Sequence, residues 1–147
     1  GINSITDPLT GLFNKGFLYR KVEQLIQKQE ITIIFIDIDN FKKLNDTKGH
    51  DVGDLVLKDV AKILQNVLKN HGLAFRFGGE ELIGVVTSGD PIHLAEKFRA
   101  QVEKQAGVTV SVGVATGTTD SKAVIKIADE RMYIAKNSGK NKVVFEG

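Results

Sequence analysis

Arg76-Phe77-Gly78-Gly79-Glu80-Glu81-Leu82 joins two apolar runs, Leu73-Ala74-Phe75-Arg76-Phe77 and Leu82-Ile83-Gly84-Val85-Val86. Alternating, β-branched runs around a Gly-Gly pair predict a β-hairpin, because glycine accepts the positive φ of a tight turn. Two glutamates then occupy the turn, where Asn-Gly would serve an ordinary hairpin. Adjacent like charges repel, so keeping both ionised favours a nearby cation. Taken alone, the pair reads as a solvated acidic turn. Partners elsewhere in the chain make it a candidate site.

Working outward, Ile31 to Ile38 is a near-continuous apolar run, which predicts a central strand buried on both faces and ending in Asp37-Ile38-Asp39. Upstream, Asp7-Pro8-Leu9-Thr10-Gly11 reads as a turn. A helix follows from about Lys15 to Lys28, with Leu18, Val22, Leu25 and Ile26 on one stripe. After the strand, Asn40 to Asp46 reads as a short polar helix or turn, then a loop Thr47-Lys48-Gly49-His50. A long helix is expected from about Val52 to Lys69, with Val52, Val56, Val60, Ile63 and Val67 inward. Asp90-Pro91 caps another helix, which carries Leu94, Ala95, Phe98 and Val102 to about Gln105. Val108 to Ala115 alternates as a strand. Thr118 to Ser121 offers caps for a helix to about Asn137, with Val124, Ala128, Met132 and Ala135 inward and Gly139 as its stop. Lys142 to Phe145 closes as a strand.

After the first helix the order β-α-β-β-α-β is the ferredoxin-like unit, followed by one more helix and strand. The expected class is α/β (α+β), with about five strands, mostly antiparallel, flanked by helices. In this topology the first strand lies antiparallel beside the third. The hairpin tip then arrives at the exit of the first strand, so Asp37 and Asp39 come next to Glu80 and Glu81.

Composition narrows the chemistry. The chain has 147 residues, 41% apolar and 26% charged, which suits one compact soluble domain. Lysine and arginine exceed the acids by only 20 − 18 = +2, too little to argue for wrapping nucleic acid. Without cysteine there is no disulfide, thiolate zinc site or cysteine nucleophile, and a reducing compartment suits the chain. No run reaches the ~18 apolar residues of a membrane span. The abrupt start at Gly1-Ile2-Asn3 is expected of a piece of a longer protein.

Asp37 and Asp39, two residues apart, share a face if the strand continues that far. With a hairpin glutamate they make a hard, all-oxygen site that suits Mg²⁺ and substrate phosphates. Carboxylates beside lysines suggest metal-assisted phosphoryl or nucleotidyl transfer. Lys42 follows the strand, and Lys136 and Lys140 lie at the end of the last helix, where lysine also serves the helix dipole. No P-loop, Gly-x-Gly-x-x-Gly or paired-histidine zinc pattern is present. His71 and His93 read as surface residues.

Several motifs together resemble the GGDEF domain of diguanylate cyclases, from Asp7 to about Phe145. They are Asp7-Pro8-Leu9-Thr10-Gly11-Leu12-Phe13-Asn14, Asp37-Ile38-Asp39-Asn40-Phe41-Lys42-Lys43-Leu44-Asn45-Asp46, Gly49-His50 with Gly53-Asp54, Gly78-Gly79-Glu80-Glu81-Leu82, Ser111-Val112-Gly113-Val114-Ala115, and Tyr133-Ile134-Ala135-Lys136. The resemblance implies that residues 1–147 are a single such domain with the palm-like fold of nucleotide cyclases. It implies condensation of two GTP into cyclic di-GMP and two pyrophosphates. Asp37, the Ile38 carbonyl and Glu80 then hold Mg²⁺, or Mn²⁺, with Glu81 near a second ion, and Glu80 and Asp37 are the catalytic carboxylates. Asn45 and Asp54 read guanine, with His50 and Phe41 lining the pocket. Gly78 and Gly79 let the hairpin backbone approach the nucleotide. Lys42, Lys136 and Lys140 take the phosphates.

The resemblance implies that each domain holds one GTP and that turnover needs a second GGDEF domain in a homodimer, normally arranged by an N-terminal regulatory region, which is expected to be missing from this stretch. The resemblance places the domain in the cytoplasm, with membrane attachment left to the missing region. Three departures stand out. Leu82 replaces phenylalanine, lysines replace arginines at Lys15 and Lys140, and Lys69-Asn70-His71-Gly72 stands where a product-inhibition Arg-x-x-Asp would begin. The segment before Val108 is also short. Two other readings remain: a GTP-binding module with weak or no turnover, and an RNA-binding domain with Phe75 and Phe77 as stacking platforms.

Overall fold

The computed structural model describes residues 4–147; Gly1-Ile2-Asn3, where the abrupt start was noted, lies outside them. Among the described residues five helix segments and five strands follow in order: α1 (Lys15–Ile26), β1 (Ile31–Ile38), α2 (Phe41–Lys48), α3 (His50–Leu68), β2 (Gly72–Gly78), β3 (Glu81–Val86), α4 (Pro91–Gln105), β4 (Val110–Gly117), α5 (Ser121–Lys136) and β5 (Lys142–Val144). The strands form one sheet in the order β2-β3-β1-β4-β5. β1 is central and antiparallel to both β3 and β4, as the ferredoxin-like order requires, and β5 adds a parallel edge to β4. The expected α/β fold with a mostly antiparallel five-stranded sheet is observed.

β1 feeds two cores, because successive side chains of a strand point to opposite faces. Ile34, Ile36 and Ile38 join Leu57, Val60, Leu64, Phe98 and Val102 beneath α3 and α4. Ile33 and Phe35 join Leu18 and Val22 of α1 and Ile125, Ala128 and Met132 of α5. Each such fully buried side chain contributes about 1.5–3 kcal/mol relative to exposure. Asp37 shares its strand parity with Ile33 and Phe35, which turns its carboxylate to the α1/α5 side at the open end of the sheet. Among the described residues, no helix is long and apolar enough to cross a membrane.

Several expectations are corrected. The two glutamates do not both lie in the turn: Gly79 (φ +43°) and Glu80 make it, and Glu81 opens β3. β4 starts at Val110, and it is buried on both faces rather than alternating, because α5 packs on one side and α4 on the other. On α3, Val52 and Val56 are only half-buried, while Leu57, Ala61, Leu64 and Leu68 share the inward face. The loop expected at Thr47–His50 shrinks to one residue: Gly49, at φ +92°, breaks α2 from α3 at a backbone angle that favours glycine. β5 stops at Val144 and leaves Phe145 exposed. His71 is half-buried, its carbonyl accepting from the Thr87 and Ser88 amides and its Nδ1 buried without a partner.

The RNA-stacking reading fails on the same geometry. Phe75 is fully buried against Phe13 and Phe17, and Phe77 packs on Phe35 under the Lys15 ammonium. Helices pack on both sheet faces, so these rings lie within the fold rather than on an open sheet face.

Candidate active site

The hairpin tip and the exit of β1 meet, as the topology predicts. Asp37 lies directly opposite Glu81 in the β1/β3 register, and the Ile38 amide donates to the Glu80 carbonyl at 3.3 Å. Two carboxylates directly opposed on one face repel. Burial comes first in raising the Glu81 pKa to about 6, helped by Asp37, Asp129 and Glu80 and opposed by Lys15. Burial likewise leads in raising Asp37, with Glu80 and Asp39 adding to it against the pull of Lys136.

A lysine answers this repulsion. From the last turn of α5, the Lys136 ammonium lies 2.8 Å from Asp37 Oδ1, 3.0 Å from Asp39 Oδ1 and 3.2 Å from the Ile38 carbonyl oxygen. Burial works to lower the Lys136 pKa, but the two aspartates outweigh it and hold the ammonium above its ordinary value.

Asp39 departs from the expected part of a metal carboxylate. The strand ends at Ile38, and Asp39 turns into the fold with its side chain 1% exposed. Ser111 Oγ donates at 2.6 Å, Thr109 Oγ1 at 2.7 Å and the Asn141 amide at 3.0 Å, besides Lys136. Burial pushes its pKa up, yet these donors outweigh burial and hold it below the usual carboxylate value. Among the described residues, three of the four non-glycine residues at positive φ flank it: Asn40 (+56°), Lys140 (+61°) and Asn141 (+48°). Lys140 Nζ donates to Asn40 Oδ1 at 2.9 Å across this loop.

Two ties hold the hairpin tip itself. Arg76 Nη1 reaches Asp7 Oδ1 at 3.1 Å, and Nη2 donates to the Gly79 carbonyl at 2.9 Å. Asp7 also accepts from the Thr10 amide and hydroxyl, so the N-terminal turn is a bracket for the glutamate turn.

The predicted guanine residues gather on α2 and α3. Asn45 sits against the bare α-carbon of Gly53, with its Oδ1 buried and unpartnered; a Cβ on Gly53 would overlap that oxygen and crowd the Phe41 ring. His50 and Asp54 lie one turn apart on α3, both exposed. Lys42 is exposed on the first turn of α2 and has no hydrogen-bond or ion-pair partner among the described residues. Thus Asp37, Ile38, Glu80, Glu81 and Lys136 come together, Lys140 stands at the neighbouring Asn40, and Lys42, Asn45, His50 and Asp54 line the adjoining helix pair. Sequence reasoning missed Thr109, Ser111 and Asn141 as partners of Asp39. A serine between two inward valines of β4 was the available signal.

The diguanylate cyclase GGDEF-domain family matches residues 4–142 of this chain. The response regulator PleD of Caulobacter vibrioides is 36% identical over 162 residues, covering 96% of this chain and 36% of PleD. An uncharacterised membrane protein of Staphylococcus aureus (strain NCTC 8325 / PS 47) is 38% identical over 160 residues, covering 95% of this chain and 45% of that protein. The chain therefore spans less than half the length of these relatives. Among solved structures, the diguanylate cyclase SiaD of Pseudomonas aeruginosa, in complex with its activator SiaC, superposes with a TM-score of 0.90 at 32% identity, covering 99% of this chain and 63% of SiaD. The GGDEF domain of DgcB from Caulobacter crescentus, in complex with c-di-GMP, gives 0.90 at 28% identity over 97% of this chain and 93% of that one. A match over nearly the whole chain, on a fold that these cyclase domains share, establishes that the chain belongs to the diguanylate cyclase GGDEF-domain family.

Proposed function

We propose that the domain condenses two GTP into cyclic di-GMP with release of two pyrophosphates, acting as a pair of domains with Mg²⁺ or Mn²⁺ in each site. The observation that carries this reading is the placement of Glu80 and Glu81 against Asp37 and Ile38. Among the described residues, no three acidic or imidazole side chains form a ready metal cage. The donor set still fits a hard cation, because a backbone carbonyl completes it and an ammonium already rests on Asp37 and Ile38. Asp37, the Ile38 carbonyl and Glu80 would hold one ion, with Glu81 beside a second. When bound there, the metal neutralises triphosphate charge and acidifies the attacking 3′-hydroxyl.

The chain's own residues do the rest. Asp54 accepts from guanine N1–H and the exocyclic amine, a donor pair that adenine lacks, and such polar matching discriminates strongly. The unpartnered Asn45 Oδ1 offers a further acceptor beside it, and His50 and Phe41 close the base pocket. Gly78 and Gly79 admit the nucleotide against the turn backbone. Lys42, Lys136 and Lys140 hold phosphates as point charges. A carboxylate that also holds a cation is a weak base, so Glu80 positions the reacting groups more than it removes a proton.

The test is incubation with Mg²⁺ and GTP, followed by chromatography for cyclic di-GMP. The wild-type chain forms product and Glu80→Gln does not. The rate per domain falls on dilution, because each half of the ring needs the facing domain. GTP binding without product would instead favour a sensor that binds and does not turn over. That second reading draws on the lysines of the phosphate end, which lack arginine's bidentate fork. We also expect no inhibition by product at Lys69-Asn70-His71-Gly72. Tight cyclic di-GMP binding that is lost on Lys69→Ala overturns that expectation.

A further inference from the structure

An ammonium has three hydrogens to donate, and Lys136 spends all three on the acids and carbonyl at the exit of β1. While it stays there, nothing is left for a phosphate. Two of its three acceptors, Asp37 and the Ile38 carbonyl, are the oxygens assigned above to a divalent ion. Magnesium approaches its oxygens more closely than an ammonium does, at about 2.0–2.1 Å, and two cations held against the same two oxygens repel each other. The third acceptor differs. Asp39 is anchored by Thr109, Ser111 and the Asn141 amide, so its carboxylate is held in place whether or not Lys136 remains.

We infer that Lys136 is the site's resident cation, and that a divalent ion competes with it for Asp37 and the Ile38 carbonyl, releasing the ammonium from both. The inference rests on the proposed metal site. Asp39 keeps the released side chain at the rim, so metal entry and the freeing of a phosphate-binding charge become one event. Linkage makes the effect reciprocal: whatever draws Lys136 away, a triphosphate included, tightens the metal. A lysine that only bound phosphate, or only braced α5 against β1, would leave metal affinity unaffected.

The experiment measures Mn²⁺ binding without nucleotide, by the electron paramagnetic resonance signal of the free ion. It uses wild type, Lys136→Met, Asp37→Asn and Lys140→Met, the last as a control for the loss of one nearby positive charge. Lys136→Met is expected to bind Mn²⁺ on the order of tenfold more tightly than wild type, Lys140→Met less than about twofold, and Asp37→Asn not measurably. If Lys136→Met matches or falls below wild type while Asp37→Asn abolishes binding, the competition is wrong and the metal site stands. Should Asp37→Asn bind as wild type does, the metal site itself fails, and the competition with it. Wild-type protein provides a check independent of how Lys136→Met folds. Titration with Mg²⁺ alone, followed by nuclear magnetic resonance of lysine ¹³Cε groups, shifts the Lys136 signal and leaves Lys140 in place. An unmoved Lys136 signal in a chain that binds Mg²⁺ overturns the inference.

Discussion

Asp37 and Asp39 leave the same strand two residues apart, and the regions around them are built to opposite ends. Around Asp39, two hydroxyls, an amide and an ammonium satisfy a carboxylate that water does not reach. Around Asp37, Glu80 and Glu81, acids crowd one another and share Lys136 and Lys15 as the nearby cations. Burial raises Asp37 and Glu81 in the second region and is overcome only at Asp39 in the first. The contrast separates framework from site by one criterion, whether the protein supplies the charge compensation itself. Where it does so in full, the acid is a structural joint linking β1, β4, β5 and α5; around Asp37 and Glu81 the lysines do so only in part, and the proposed divalent ion would supply the rest.

The sharpest way to break this contrast is to delete each aspartate in turn. Asp39→Ala strips four donors of their acceptor and leaves Lys136 with less compensation, so chemical denaturation should report a loss of about 3–5 kcal/mol. Asp37→Asn removes an ionised group that burial disfavours, so stability at neutral pH should change by less than about 1 kcal/mol. Comparable losses from both would mean that Asp37 is framework too.

Gly53→Ala tests the neighbouring helix pair. Alanine gains about 1 kcal/mol of helix propensity over glycine, offsetting the cost of moving Asn45 aside. Global stability should therefore stay nearly constant while GTP affinity, read by calorimetry, falls about tenfold or more, since a misplaced polar reader costs a paired hydrogen bond. A loss of stability with unchanged GTP affinity would place Asn45 in the framework.

A smaller effect follows from pH. The folded pKa of Glu81, about 6, lies above its ordinary value of 4.5. Between those values the folded state holds more proton than the unfolded one, so the contribution of Glu81 to stability is present at low pH and is lost as pH rises to about 6. Allowing for solvent screening, the drop is at most about 1 kcal/mol. Asp39 has the opposite sign: its contribution is present above the ordinary aspartate range and is lost as pH falls through its lowered folded pKa. Denaturation midpoints of Glu81→Gln across this range should lose the first slope and keep the second.

Much of this division was legible in the sequence, and its limits have physical causes. The β-α-β-β-α-β order fixes β1 beside β3, and the meeting of Asp37 with Glu81 follows from that pairing alone. Helix stripes such as Leu94, Ala95, Phe98 and Val102 read directly, because period and burial coincide there. The fate of Asp39 did not read, since it depends on Thr109, Ser111 and Asn141, seventy or more residues away, and on a strand that ends one residue earlier than parity suggests. Nor did the one-residue break at Gly49, because Thr47, Lys48 and His50 are as compatible with helix as with loop. The valine-rich β4 misled in a different way: its small residues Gly113 and Ala115 face α5 closely, and small buried residues resemble exposed ones to a pattern search.

The finest test asks whether the framework around Asp39 holds its loop under strain. Lys140 has φ +61°, a conformation in which a side chain's Cβ crowds the backbone and glycine's absent Cβ does not. Lys140→Ala and Lys140→Gly both remove the ammonium and its hydrogen bond to Asn40, so their difference isolates the backbone. Glycine also enlarges the freedom of the unfolded chain, which works against it and keeps the net effect small. If the Asn141 amide on Asp39 locks the loop in its left-handed shape, the glycine variant should be the more stable by about 0.5–1 kcal/mol in denaturation at neutral pH. Equal stabilities, or a more stable alanine variant, would mean that the loop relaxes to negative φ once the lysine is gone. The lysine's bond to Asn40, rather than the anchored aspartate, would then be what bends it.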